Sequence, residues 1–346
     1  MYLFVKRLYK EENVPDSFFV TTLSALYKKG DPREPSNYRY IHIRRPESRL
    51  LELAIYGKLA KTYDEETDES QLGGMPGCST VEHLTTLMSV INEKEEKKEG
   101  LIVTFQDVVK CFDNIHLSDM TWFLVEGKAD LKATKMQAKL TNTNVLKIQG
   151  SDKTFVVTNG LGQGSVNAAR MASGGTVECF KKNMEEYENR VMHNEVDVTM
   201  NSFVDDAMFM NEDPKGAKES GEVITRTLNE LALHAHPQKT VQVIVGAEEY
   251  IEKMKIRLEN EPTKVQNFTV KEAKAERYLG MKICSGGTRE IVRENIKDKR
   301  SKIIQPINDI RRMSRTRKMK KVGTIRMVKL MIQSQIVPII TYGCEA

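Results

Sequence analysis

The stretch Thr199–Met210, TMNSFVDDAMFM, constrains the fold more than any other, because it sets two adjacent carboxylates, Asp205 and Asp206, inside an apolar, strand-like run. A carboxylate taken out of water is costly unless it is protonated or paired, so two of them side by side call for a counter-charge. Apolar residues on both sides predict two short strands with the acids at the turn between them, a rigid base of the kind catalytic magnesium requires. Aspartate is also a common turn residue, so on this stretch alone an ordinary polar turn stands as an equal alternative.

A second stretch lies about a hundred residues earlier, Leu101–Ile115, LIVTFQDVVKCFDNI. Its apolar β-type run, Leu101 to Phe105, leads directly into Asp107, which places that carboxylate at the C-terminal end of a central strand, a usual position for α/β ligand sites. Asp113 is the competing choice; it is expected to start the following helical segment or to face solvent. Two acid sites at strand ends can share metal ions, and two-metal catalysis of phosphoryl or nucleotidyl transfer uses such carboxylates around cations roughly 3.5–4 Å apart.

These residues carry a family resemblance. FVDD at Phe203–Asp206 resembles the aromatic-x-Asp-Asp signature of reverse transcriptases, Asp107 with Phe112 their first palm motif, and GLGQGS at Gly160–Ser165 their glutamine-glycine motif. HPQKT at His236–Thr240 resembles the fourth motif and RYLGMKI at Arg277–Ile283 the fifth. KKGDPREPSNYRYI at Lys28–Ile41 and QLGGMPGCST at Gln71–Thr80 resemble fingers segments of non-LTR (LINE-like) retrotransposon enzymes, and YGCE near the C-terminus the segment after their thumb. The motifs occur in family order and cover nearly the whole chain.

The resemblance implies an α+β right-hand polymerase: fingers mainly in 1–100, a ferredoxin-like palm in 101–285 with a fingers segment near 128–165, and a basic helical thumb in 286–346. It implies an RNA-directed DNA polymerase that extends a DNA primer on an RNA template with dNTPs. Two Mg²⁺ ions, with Mn²⁺ as the alternative, are then held by Asp107, Asp205, Asp206 and the Val108 backbone. Adjacent strand residues point to opposite faces, so only one of the two neighbouring acids need reach both ions, and Asp206 is expected to be the weaker ligand. Lys239 is the expected proton donor to the leaving pyrophosphate. Arg39 is expected to meet the incoming triphosphate with its planar fork. Phe112 is expected to exclude a 2′-hydroxyl, Gln163 and Gly164 to contact template and nucleotide, and Phe203 to line the substrate site. Tyr278, Leu279 and Gly280 form the expected primer grip, the glycine allowing close backbone approach.

Composition agrees and narrows the alternatives. With 346 residues, 40% apolar and 29% charged, the chain is long enough for one to three subdomains and reads as soluble and globular. No apolar run reaches a membrane span and no secretory signal is visible, so an intracellular site, nucleus or cytoplasm, is expected. Five cysteines, Cys78, Cys111, Cys179, Cys284 and Cys344, are scattered without a CxxC pair and read as reduced thiols. His234 and His236 form an HxH with no third ligand in view, so zinc is not expected. The net charge of +5 is uneven: residues 286–346 hold 15 Lys or Arg against 5 Asp or Glu. A basic end of this kind suits a polyanion.

Along the chain, Ser48–Ala60 and Thr80–Ile91 read as helices, Lys61–Ser70 as a polar loop and Lys94–Glu99 as a solvated charged end. Strands are expected at Leu101–Phe105, Val198–Met210 and Thr240–Val245, with helices over Ala168–Tyr187 and Gly216–His234; this order permits a split βαβ arrangement. GLGQGS is not a dinucleotide fingerprint, because its spacing is GxGxGS. Family members usually have Pro before the glutamine, Ser-Pro several residues after it, and a basic residue where Met75 or Cys78 stands; this chain has Gly162, Ala168-Ala169 and no such cation. In the basic segment, Ile291–Ile310 and Lys318–Ile336 predict helices, with Ile303, Ile304, Ile307 and Ile310 as a packing stripe. No endonuclease, RNase H or zinc-knuckle pattern is visible. The alternative readings are a catalytically decayed or repurposed nucleic-acid-binding module, and an RNA-templated RNA polymerase, against which Phe112 argues. Oligomeric state and template choice are not written in the sequence.

Overall fold

The computed structural model describes residues 2–142, 144–157, 159–315 and 329–342. The chain opens with α1 (Tyr2–Glu11), the hairpin β1 (Val20–Tyr27) and β2 (Tyr38–Arg44), then the long helices α2 (Pro46–Glu66) and α3 (Thr80–Glu96). A core strand β3 (Gly100–Gln106) leads into α4 (Cys111–Asn114), α5 (Leu117–Glu126) and α6 (Leu131–Asn142), and then β4 (Asn144–Ile148) and β5 (Thr154–Val157). After α7 (Ala168–Asn183) come short β6 (Met192–His193) and β7 (Val196–Asp197), the hairpin β8 (Met200–Phe203) and β9 (Asp206–Asn211), α8 (Pro214–Glu230), β10 (Val241–Gly246) and α9 (Glu248–Asn260). The last part holds β11 (Lys264–Val265), β12 (Phe268–Thr269), β13 (Lys271–Glu272), the hairpin β14 (Ala275–Tyr278) and β15 (Met281–Cys284), and α10 (Thr288–Arg315).

The apolar run at Leu101 becomes the middle of a five-stranded sheet, ordered β13-β10-β3-β9-β8. All seven residues of β3 are buried, and each large side chain there contributes about 1.5–3 kcal/mol by leaving water. Strands β3, β8, β9 and β10 with α7 and α8 follow the split βαβ order, with every pairing among the four strands antiparallel. One core lies under the helices, around Leu51, Met171 and Phe209, and a second on the other face, around Leu87, Val243 and Ile283. A separate four-stranded sheet, β2-β1-β4-β5, joins the N-terminal hairpin to residues 144–157.

Several boundaries differ from the sequence reading. Helix α2 continues through Lys61–Glu66, into what reads as a loop, because Thr62 and Tyr63 are buried. Helix α3 is begun by Ser79 in a capping box with Glu82, a pattern that contributes about 1 kcal/mol. It runs on to Glu96, and Lys94 is not a solvated end: it is buried, with its ammonium 2.6 Å from Glu212 and 3.3 Å from Glu99. Helix α7 stops at Asn183 rather than Tyr187, and α8 starts at Pro214 with Asp213 as its cap.

The hairpin β14–β15 and α10 are fastened together. Lys282 N–H donates to Asn295 Oδ1 (2.8 Å), Asn295 Nδ2 donates back to the Lys282 carbonyl (2.7 Å), and Arg277 bonds Asp298 (3.0 Å). Glu95 of α3 accepts the Thr288 N–H at the start of α10 (3.0 Å). Beyond these ties part of the isoleucine stripe faces solvent: Ile304 is 58% and Ile307 37% exposed, while the helix also packs against residues 332–341. The Ile310 side chain, residues 318–328 of the second basic helix, Cys344 and most of YGCE lie outside the described residues. Among the described residues no helix is long and apolar enough to cross a membrane, and Cys78, Cys111, Cys179 and Cys284 are free thiols.

Candidate active site

Asp107 leaves the end of β3 and is fixed by the segment that precedes β10. His236 N–H donates to the Asp107 carbonyl (2.8 Å), Val109 N–H donates to the His234 carbonyl (2.8 Å), and Val108 forms a bridge with Ala235. The same segment supplies Lys239, whose ammonium lies 2.9 Å from Asp107 Oδ2. Two residues 132 positions apart, singled out separately in the sequence, thus meet as an ion pair. Asp113 sits in α4 and faces solvent.

Asp205 and Asp206 sit where β8 turns into β9, with Phe203 paired to Asp206. The turn is strained: Val204 has φ +62°, a left-handed conformation that is an outlier for a β-branched residue. The three carboxylates share one electrostatic neighbourhood. Burial, opposed by a hydrogen bond to its own backbone, and the Asp107 charge push Asp205 above the ordinary carboxylate range, while Lys239 and Arg39 pull it down. Asp206 is pushed up to about 6, first by the protein crowded around it and then by the charges of Asp205 and Asp107. Its outer edge is nevertheless open to solvent, which damps the first cause. Beneath them the buried Cys111 thiol is raised by burial and then by these same charges.

A set of oxygen donors whose ionised form is destabilised by mutual repulsion is the donor chemistry that a hard divalent cation relieves. Among the described residues no three such side chains converge closely enough to grip an ion as they stand; Lys239 takes up one oxygen of Asp107.

The other expected site residues surround this centre. Arg39 is exposed on β2, near enough for its charge to act on Asp205. Phe112 is half-buried against the main core, and its carbonyl accepts the Leu161 N–H (2.6 Å), which ties α4 to GLGQGS. The glutamine loop lies along the free edge of β2, where His42 N–H donates to the Gln163 carbonyl (2.8 Å). Arg49 donates to the Gly164 carbonyl, and Ser165 Oγ donates to Glu52 (2.8 Å), which is buried in an ion pair with Arg44 (3.0 Å). A Cβ at position 162 would lie 2.6 Å from the His42 ring, so this loop path excludes the family's proline there. Phe203 meets His83 edge-on at 6.3 Å.

Arg277–Ile283 is a hairpin and not the single strand expected. Leu279 (φ +45°) and Gly280 (φ +87°) form its two-residue turn, the torsion pattern of a type I′ turn. Tyr278 is buried with its ring 5.2 Å from Phe105, joining the hairpin to β3. The neighbour that makes the close approach to Gly280 is the Tyr342 ring, and the Tyr342 hydroxyl donates to the Leu279 carbonyl.

Two residues were missed by the sequence reading. Arg170 of α7 is buried with its guanidinium against Met75 and in an ion pair with Asp64. Gln71 is buried against the Val204 turn between β8 and β9. Its only sequence signal was its place beside a glycine pair.

The reverse transcriptase (RNA-dependent DNA polymerase) family model matches residues 27–283. The chain belongs to this family. It accordingly has the right-hand polymerase fold. Among solved structures, apo telomerase from Candida tropicalis superposes with TM-score 0.53 at 10% identity over 82% of this chain and 52% of that one. Telomerase from Candida albicans, solved with a TWJ fragment of telomeric RNA, gives TM-score 0.53 at 12% identity over 99% of this chain and 59% of that one. At such identities the likeness is one of fold, and this reverse transcriptase spans about half the length of the structures it matches. No curated protein sequence matches it.

Proposed function

We propose that this reverse transcriptase extends a DNA primer on an RNA template with dNTPs, and that it derives from a non-LTR, LINE-like element. The observation that carries the reading is the meeting of Lys239 with Asp107 at the end of β3, beside the Asp205–Asp206 turn of the next strands. Asp107, Asp205, Asp206 and the Val108 carbonyl would hold two Mg²⁺, which when bound supply activation of the primer 3′-oxygen and charge neutralisation at the phosphates. Lys239 holds a proton at its Nζ that can pass to the departing pyrophosphate. Arg39 binds the triphosphate, Phe112 excludes a 2′-hydroxyl, and the Gln163 loop orients the base pair. Tyr278, Leu279 and Gly280 hold the primer end. The lineage rests on the segments at Lys28–Ile41, Gln71–Thr80 and YGCE.

Mg²⁺-dependent primer extension on an RNA template, comparing the chain with Asp205→Ala, tests this. dNTP extension that the substitution abolishes supports it; binding without extension by both proteins overturns it. That second outcome belongs to the reading as a binding module without turnover, which the altered surroundings of Gln163 and Met75 favour.

A further inference from the structure

The catalytic turn has a residue holding it. Val204 carries the strained torsion that aims Asp205, and such a conformation persists only where its surroundings over-determine it, at a cost of order 1–3 kcal/mol. The hydrogen bonds to its peptide groups come from one side chain. Gln71 Oε1 accepts the Val204 N–H (2.8 Å) and the Gly73 N–H (2.8 Å), and Gln71 Nε2 donates to the Val204 carbonyl (3.3 Å). Both backbone polar groups of the strained residue are thus engaged by a residue 133 positions away that is 1% exposed.

The clamp is itself built in. Ser202 N–H donates to the Ser70 carbonyl (2.8 Å) and Leu72 N–H to the Ser202 carbonyl (3.1 Å), so residues 70–72 lie along the free edge of β8 as a short parallel bridge. Gly73 then passes so close that a Cβ would overlap the Val204 amide, and Ser173 of α7 donates to its carbonyl (2.8 Å). A glutamine suits the place because one amide offers an acceptor and a donor about 2.2 Å apart, as a peptide group does. Leucine has neither, and glutamate lacks the donor.

We infer that Gln71 is a positioning residue that fixes Val204 in its left-handed conformation and thereby aims Asp205. The inference rests on the polymerase reading above. In single-nucleotide extension, Gln71→Leu is expected to lower kcat by about 10- to 100-fold, as misplacements of about 1 Å do, with KM for dNTP and primer-template within about twofold. Glycine adopts φ +62° without strain, so adding Val204→Gly to Gln71→Leu is expected to recover most of the lost kcat.

Wild-type kcat in Gln71→Leu, or a double variant as impaired as the single one, would overturn the inference. If Gln71→Leu fails to fold and the double variant folds, the clamp is supported. If neither folds, Gln71 is a core residue only and the inference is lost. Amide exchange over 199–211, measured on the same proteins, is expected to quicken in Gln71→Leu. If the wild type extends nothing, the polymerase reading fails, and unchanged exchange there would sink the clamp separately.

Discussion

Behind the Val204 turn, the buried His83 is expected to make the chain sensitive to acid. His83 is 2% exposed, makes only a weak contact to the Ser70 backbone, and stands edge-on to Phe203, two residues before Asp205. Burial pushes its pKa from 6.5 to about 4, with the Ser70 backbone and the Glu82 charge pulling weakly the other way. The unfolded chain therefore binds this proton below about pH 6.5 and the folded chain does not. Stability from this group is fully present above pH 6.5 and is lost as pH falls toward 4. At 1.36 kcal/mol per pKa unit the loss is on the order of 3 kcal/mol, most of it reached by pH 4.5. Replacing the ring by an apolar side chain gives up only the weak Ser70 backbone contact, so His83→Leu removes the proton site with little else. Urea unfolding at pH 7.5, 5.5 and 4.5 should show the wild type losing roughly 2–3 kcal/mol more than His83→Leu across that range. Parallel pH dependence in the two proteins would refute the reasoning.

Three further outcomes are expected. Lys239→Ala should lower kcat about 10²- to 10³-fold while costing under about 1 kcal/mol of stability, because the pair with Asp107 is partly exposed; stopped-flow extension and chemical unfolding check the two parts. Phe112→Val should admit ribonucleotides, read as a rise of at least tenfold in relative NTP incorporation with dNTP extension retained. Ser165→Ala severs the Glu52 contact of the glutamine loop and should raise KM for dNTP severalfold with KM for primer-template unchanged, whereas a joint rise would point to general loosening.

Much of the site was legible because charge in an apolar run has few explanations. Asp205, Asp206 and Asp107 stand out for that reason, and the split βαβ order follows from where the apolar runs fall. What could not be read depends on partners remote in the chain. Lys94 looks like the end of a solvated tract until Glu212 is brought to it from β9's far end. Gln71 and Arg170 carry no local pattern, since their partners are Val204 and Met75 in other segments. The stripe on α10 misled in the opposite sense: helical spacing of apolar residues tells which face they share, but not whether anything covers it.

The ties at the root of α10 give the helix the geometry of a pointer. From Thr288 to Gln305, just before Pro306, it extends about 27 Å at about 1.5 Å per residue. Among the described residues it is tied at Thr288, Asn295 and Asp298, and it packs against residues 332–341. Because Arg277 and Lys282 bind this helix while Tyr278 of the same hairpin packs on Phe105 of β3, the helix root and the hairpin turn share one anchor, so a change at either is felt at the other.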